Sequence, residues 1–225
     1  MLDLPEGLEV TDYTLILPSV SVGNVGQLSV DLLISTLGLR RIGRIFDTSF
    51  IPLVGADPYD ENSEDICTSI DLYASDEKKL VALQIRSPLV NKPSNFFYEI
   101  LNFVTDHKIS KVIILTSSYG HEKRDEQIRT VPFRYLANEK VTAEYDKKFE
   151  ELSWVALEPK LLDDFSGQTV LQIHEGDNIP DAIELTNYFN QWLQLIPTDE
   201  KNTCKLQFPP SWKFLFGNLP PRELY

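Results

Sequence analysis

Only two cysteines, three histidines and a single methionine occur in these 225 residues. Cys67 and Cys204 are too few for a disulfide framework, and neither has a neighbour at metal-ligand spacing. His107, His121 and His174 lie far apart, with no histidine four residues on and no cysteine close by, which argues against a zinc-type centre. No apolar run approaches the roughly 18 residues of a membrane span. Met1 to Gly7 carry neither a basic n-region nor an apolar h-region, so no secretory leader is expected. A reducing interior, cytoplasm or nucleus, is the expected setting. Positive charge is scarce as well: 21 Lys and Arg stand against 34 Asp and Glu, a net charge of −13. Nucleic-acid binding draws its affinity from clustered cations, and the densest group here is Arg40, Arg41 and Arg44. A nucleic-acid ligand is therefore not expected. The acidity either keeps the chain soluble or steers it toward a basic protein surface, and net charge alone does not choose.

What is present is an ordinary apolar complement, 42% of residues, on a chain long enough for a substantial core. Strand-like and helix-like runs alternate. A strand over about 12–18 leads through a glycine turn into a helix over about 25–38, and Ile42 to Phe46 reads as a second strand. The apolar run from Phe50 to Val54 gives way to a turn-rich loop at Gly55 to Tyr59. Ile66 to Tyr73 and Lys79 to Arg86 read as an antiparallel hairpin, because only five residues join them. Phe96, Phe97, Ile100, Leu101 and Val104 fall at helical spacing within 93–106. The continuous apolar run that follows, Lys111 to Thr116, suits a strand buried on both faces. Helix then buried strand is the βαβ pattern. A helix over 139–152 and a strand over 169–173 come next.

The last long helix has a start signal: Asp177 or Asn178 can cap, Pro180 suits the first turn and Asp181 complements the dipole. Its stripe of Ala182, Leu185, Thr186, Phe189, Trp192, Leu193 and Ile196 reads as core. These patterns predict one α/β domain over residues 1–197 with a mixed, mostly parallel central sheet flanked by helices. Residues 198–225 form a segment rich in proline and aromatics, expected to run extended and to dock on that domain or on a partner, since such apolar content requires burial.

Three places could carry chemistry. The first is the turn Ser19 to Leu28, between a strand and a helix, where backbone amides can cradle an anion. The lysine of a phosphate loop is missing and so is the full GxGxxG. Gly23, Asn24 and Gly26 are therefore expected to serve the turn itself, by permitting unusual backbone angles. The second is Ser117 and Ser118 at the end of the buried strand, with His121 and Asp125 following; no GxSxG elbow surrounds either serine, and triad members ordinarily come from distant segments. The third is Arg129, Phe133, Arg134 and Tyr135, whose composition fits either an interface hot spot or a loop pinned to the sheet by its aromatics. No catalytic, metal-binding or cofactor-binding residue is expected.

Eight blocks along the chain, in one order, resemble the proteasome assembly chaperone 2 family. They are Ser19 to Leu28, Asp31 to Leu37, Pro52 to Tyr59, Lys79 to Ser87, Lys111 to Ser118, Ile128 to Leu136, Glu175 to Ala182 and Pro210 to Gly217. The resemblance implies an α/β domain similar in topology to nucleoside phosphorylases but without their active site. It implies no enzyme, but a subunit that pairs with proteasome assembly chaperone 1. That heterodimer binds proteasome α-subunits, promotes the seven-membered α-ring and prevents off-pathway α-ring dimers, in cytoplasm and nucleus. The stretch between Trp154 and Glu175 is shorter than the glycine-rich insertion of the family. The family pattern also implies that Leu224 and Tyr225 dock in a pocket between α-subunits. Related binders end in a hydrophobic residue, tyrosine and one residue more, whereas Tyr225 is the last here, moving the carboxylate by about 3.5 Å. A small phosphorylase-like enzyme, holding a nucleoside or phosphate at the Gly23–Gly26 turn and Ser117–Ser118, is the alternative.

Overall fold

The computed structural model describes residues 2–119, 132–157, 169–173 and 178–214. A seven-stranded sheet runs through its centre. Its strands are β1 (Leu2–Asp3), β2 (Thr14–Pro18), β3 (Arg40–Ile45), β6 (Ile70–Ser75), β7 (Leu80–Ile85), β8 (Lys111–Tyr119) and β9 (Thr169–Ile173). A separate two-stranded hairpin joins β4 (Val54–Ala56) to β5 (Ile66–Thr68). Spatial order in the large sheet is β1-β3-β6-β7-β2-β8-β9. β7, β2, β8 and β9 are parallel neighbours, while β6 is antiparallel to β7, β3 to β6 and β1 to β3. Five strands thus point one way and β1 and β6 the other: the sheet is mixed and mostly parallel.

Helices cover both faces because the central strands are apolar on both. Along β2, Ile16 faces one core while Leu15 and Leu17 face the other; along β7, Leu80 and Ala82 oppose Val81 and Leu83. One face carries α1 (Val25–Leu37), α3 (Glu139–Glu151) and α4 (Ile179–Leu193). The other carries α2 (Ser94–Asp106), which inserts Phe96, Ile100 and Phe103. α1 and α4 approach closely: the Ser29 hydroxyl donates to the Ala182 carbonyl at 3.1 Å, and both residues are fully buried. α3 is capped by Asn138, whose side chain accepts from the Val141 amide. α1 ends at Gly38 in the left-handed conformation, φ 60°.

The expected hairpin is present as β6 and β7. The single run expected from Ile66 to Tyr73 is divided at Ser69, because its first half pairs with β4 instead of joining the large sheet. β1 has no patterned signal in two residues, and its pairing to β3 is a tertiary choice. Beyond Pro197 the chain turns back on the domain. The Cys204 amide donates to the Asn187 side chain, Gln207 to Thr36, and Leu206 and Trp212 pack on the core. Pro210–Phe214 forms a short 3-10 turn where an extended segment was expected. None of the described helices is long and apolar enough to cross a membrane.

Candidate functional site

Parallel strands of an open α/β sheet present their carboxyl ends to ligands. Here those ends belong to β2 and β8, and the Ser19–Gly26 turn crosses them. Gly23 has φ 65° and Asn24 φ 55°, two successive left-handed residues, of which asparagine is among the few side-chain-bearing types to tolerate that region. Gly23 meets a second constraint, since a Cβ there would lie 2.5 Å from the Asn178 side chain. Gly26 is needed for a different reason from the one its sequence suggests. Its backbone is helical, but a Cβ would fall hard against the Leu115 carbonyl of β8. Close approach of α1 to the sheet, not an unusual angle, requires glycine there.

The space a ligand would use is occupied by the chain itself. The Ser117 hydroxyl is 2.8 Å from that of Ser21 and 2.5 Å from the Val22 carbonyl, so it closes the turn and carries no base. Asn178 stands at the N-cap of α4, yet its side chain makes no capping bond and lies against Gly23 instead. His121 and Asp125, the other members of the considered triad, lie outside the described residues, and so does His174. His107 packs on Phe103 at 4.8 Å. Among the described residues, no group of three His, Cys, Asp or Glu could hold a metal.

Of the arginine-aromatic block, Arg129 lies outside the described residues, as do Leu224 and Tyr225. The other three turn inward, against the expectation of an exposed hot spot. Phe133 is 1% exposed, stacks on Tyr188 at 4.5 Å and meets Trp154 edge-on at 4.7 Å. Arg134 is buried, with a guanidinium nitrogen donating to the Phe133 carbonyl at 2.7 Å. Tyr135 packs on Phe149 at 4.6 Å, and its backbone bonds to Val155 and Leu157. Seven interleaved aromatics, completed by Tyr145 and Trp192, make burial worth more than display.

Sequence reasoning missed the one buried charge cluster. Asp31 of α1 accepts three bonds on a single carboxylate oxygen: from Tyr59 at 2.6 Å, Gln84 at 2.6 Å and Arg86 at 2.8 Å. Arg86 donates as well to the Tyr59 hydroxyl at 2.7 Å and lies over its ring. The indole nitrogen of Trp212 is 3.5 Å from the other carboxylate oxygen. Burial and the Asp31 charge push the Tyr59 phenol well above its ordinary value. For Arg86 burial acts downward, but Asp31 and the neighbouring tyrosines outweigh it and hold the guanidinium charged. With every partner supplied internally, the cluster clamps α1, β7, the 57–60 loop and the C-terminal 3-10 turn together. Each of these residues falls within or beside a recognised block, but their 181-residue spread gives no local spacing to detect.

The turn yields a direct expectation. Gly23→Ala should cost about 1–2 kcal/mol through its left-handed angle, and Gly26→Val about 1–3 kcal/mol through overpacking. Chemical unfolding measures both. Stability equal to the parent chain in Gly26→Val would show that the α1–β8 gap is not tight.

The sequence model of the PAC2 family matches residues 15–187, from β2 into α4. Over 95% of its own length and 95% of the relative's, the chain is 36% identical to proteasome assembly chaperone 2 of Mus musculus. It is 38% identical to proteasome assembly chaperone 2 of Bos taurus, covering 97% and 98% of the two chains. The fold is similar to that of Pyrococcus furiosus PbaA, an archaeal homologue of proteasome-assembly chaperone, with a TM-score of 0.62 at 18% identity over 90% of this chain and 89% of that one. At such identity the likeness to PbaA is one of fold; the family match and the near-full-length identity go further. This chain belongs to the PAC2 family.

Proposed function

We propose that this chain is a non-catalytic proteasome assembly chaperone. In this reading it pairs with proteasome assembly chaperone 1, and the heterodimer binds free proteasome α-subunits, promotes the 20S α-ring and prevents off-pathway α-ring dimers, in cytoplasm and nucleus. The observation that carries the reading is identity of 36–38%, over nearly the whole chain, to proteins named proteasome assembly chaperone 2. The geometry supports it, because the strand ends where an α/β enzyme would hold substrate are filled by Ser21, Ser117 and Asn178. The mechanism is templating: holding several α-subunits on one body replaces bimolecular encounters by effectively intramolecular ones.

Affinity capture of the endogenous protein tests this reading, with chaperone 1 and α-subunits expected among the co-purifying chains and a tagged chain imaged in cytoplasm and nucleus. Capture that returns neither chaperone 1 nor α-subunits overturns it. Thermal unfolding with millimolar phosphate or nucleosides should show no shift, whereas a saturable rise favours the phosphorylase-like alternative. For the tail, deleting Leu224 and Tyr225 should weaken α-ring binding without harming the fold, and one residue appended after Tyr225 should strengthen it. Unchanged α-ring affinity with a lowered Tm would assign the tail a structural role.

A further inference from the structure

The α2 side of the sheet exposes what a solvated surface does not ordinarily expose. Beneath α2, Phe96, Ile100 and Phe103 are buried; above it, Phe97, Tyr98 and Leu101 are 49%, 66% and 62% exposed. The helix is therefore apolar on two sides. Its other solvent-side positions are Ser94, Asn95, Asn102 and Thr105, and Glu99 is the only charged residue between Lys92 and Asp106. A surface helix usually carries its charge on the outward face. Depletion of charge with enrichment of aromatics is instead the composition of an interface core.

The apolar surface continues past the helix. Phe50 meets Phe96 at 5.1 Å, Phe96 meets Phe97 at 5.5 Å, and Phe50 pairs by its backbone with Leu89. Around this hub Leu53, Val54, Leu89 and Val90 are 39%, 71%, 39% and 54% exposed. A cleft of about 590 Å³ opens beside them, floored by Ile45 and Phe50. Together these side chains expose on the order of 700 Å² of apolar surface. That exceeds the largest patch of a typical monomer, roughly 300–600 Å². It approaches the roughly 800 Å² per partner of a standard interface.

The border identifies the kind of occupant. From Ile45 to Glu77 the chain has no Lys, Arg or His and nine acidic residues. Asp57 to Asp65 forms the connection of the β4–β5 hairpin that begins at Val54. Asp65 pairs with Arg41 and Glu61 with Lys213, leaving Asp47, Asp60 and Glu64 with no ion-pair partner among the described residues. A second copy would set this acidic border against itself, with −13 on each chain. A non-identical chain bringing lysine or arginine would complement it.

We infer that the α2 face with the 53–54 and 89–90 segments is the seat of the partner chaperone subunit, a different polypeptide presenting an apolar surface bordered by basic residues. The inference rests on the heterodimer reading above. Leu101→Glu and Tyr98→Ser, with Lys147→Glu on α3 as a control on the opposite layer, are co-expressed with tagged chaperone 1, and the affinity of each purified pair is measured by titration. Leu101→Glu should raise Kd at least about 100-fold and Tyr98→Ser about 10-fold, as for truncation at an interface centre, while Lys147→Glu has no effect. Glu64→Lys should slow association mainly at low salt. Expressed alone, the Leu101→Glu chain should be more soluble than the parent, which damage to the core would not produce. If the parent chain does not bind chaperone 1, the heterodimer reading fails and this inference with it. If the parent binds and Tyr98→Ser and Leu101→Glu bind equally well, the face is wrong and the reading stands. Self-association of the parent that Leu101→Glu abolishes would make the occupant a second copy and overturn the inference.

Discussion

Asp31→Ala should destabilise the domain by about 3–5 kcal/mol, the cost of breaking a buried ion pair from one side. Asp31 is 6% exposed, and the Arg86 side chain across from it is 16% exposed. Removing the carboxylate leaves the guanidinium uncompensated and strands the Tyr59 hydroxyl and Gln84 amide, each of which carries its own desolvation penalty. Asp31→Asn keeps an acceptor and loses the charge, so its loss should be smaller. Urea unfolding compares the two, and Trp212 fluorescence reports whether the C-terminal turn is released. A loss below about 1 kcal/mol in Asp31→Ala would mean that water replaces the carboxylate. The same cluster sets an alkaline limit. Folding keeps Tyr59 protonated above its ordinary value of 10.0, where an unfolded chain ionises. The folded state then holds the extra proton, so stability should be full below pH 10 and fall as pH rises beyond it. Tyr59→Phe should flatten that fall.

Phe133→Ala should cost about 3–5 kcal/mol, as for other buried aromatic truncations. The ring is 1% exposed between Tyr188 and Trp154, and a cavity there cannot collapse without moving β8 and α4. An interface residue would behave in the opposite way, with stability retained and partner affinity lost. Denaturant unfolding and chaperone 1 titration on one preparation separate the two, since a core residue lowers the unfolding midpoint first. Wild-type stability with lost affinity would return this block to the surface.

The sequence by itself determined the layers. Alternation along β2 and β7, the continuous apolar run of β8 and the 3.6-residue stripes of α2 and α4 are local signals, because each element must show its core face within a few residues. The glycine turn and the family blocks are local as well, and they carried the family assignment. Tertiary structure decided what a residue type means once placed. Phe133 and Phe97 are the same side chain beside other aromatics, yet one is enclosed by three elements and the other faces outward. Gly26 looks like a turn glycine and is a contact glycine, because the Leu115 carbonyl that crowds it lies 89 residues away. Asp31, Tyr59, Arg86 and Trp212 meet only after the sheet has brought α1 and β7 together. Burial, charge pairing and the face left open are properties of long-range contacts, and the spacing of residues along a chain does not encode them.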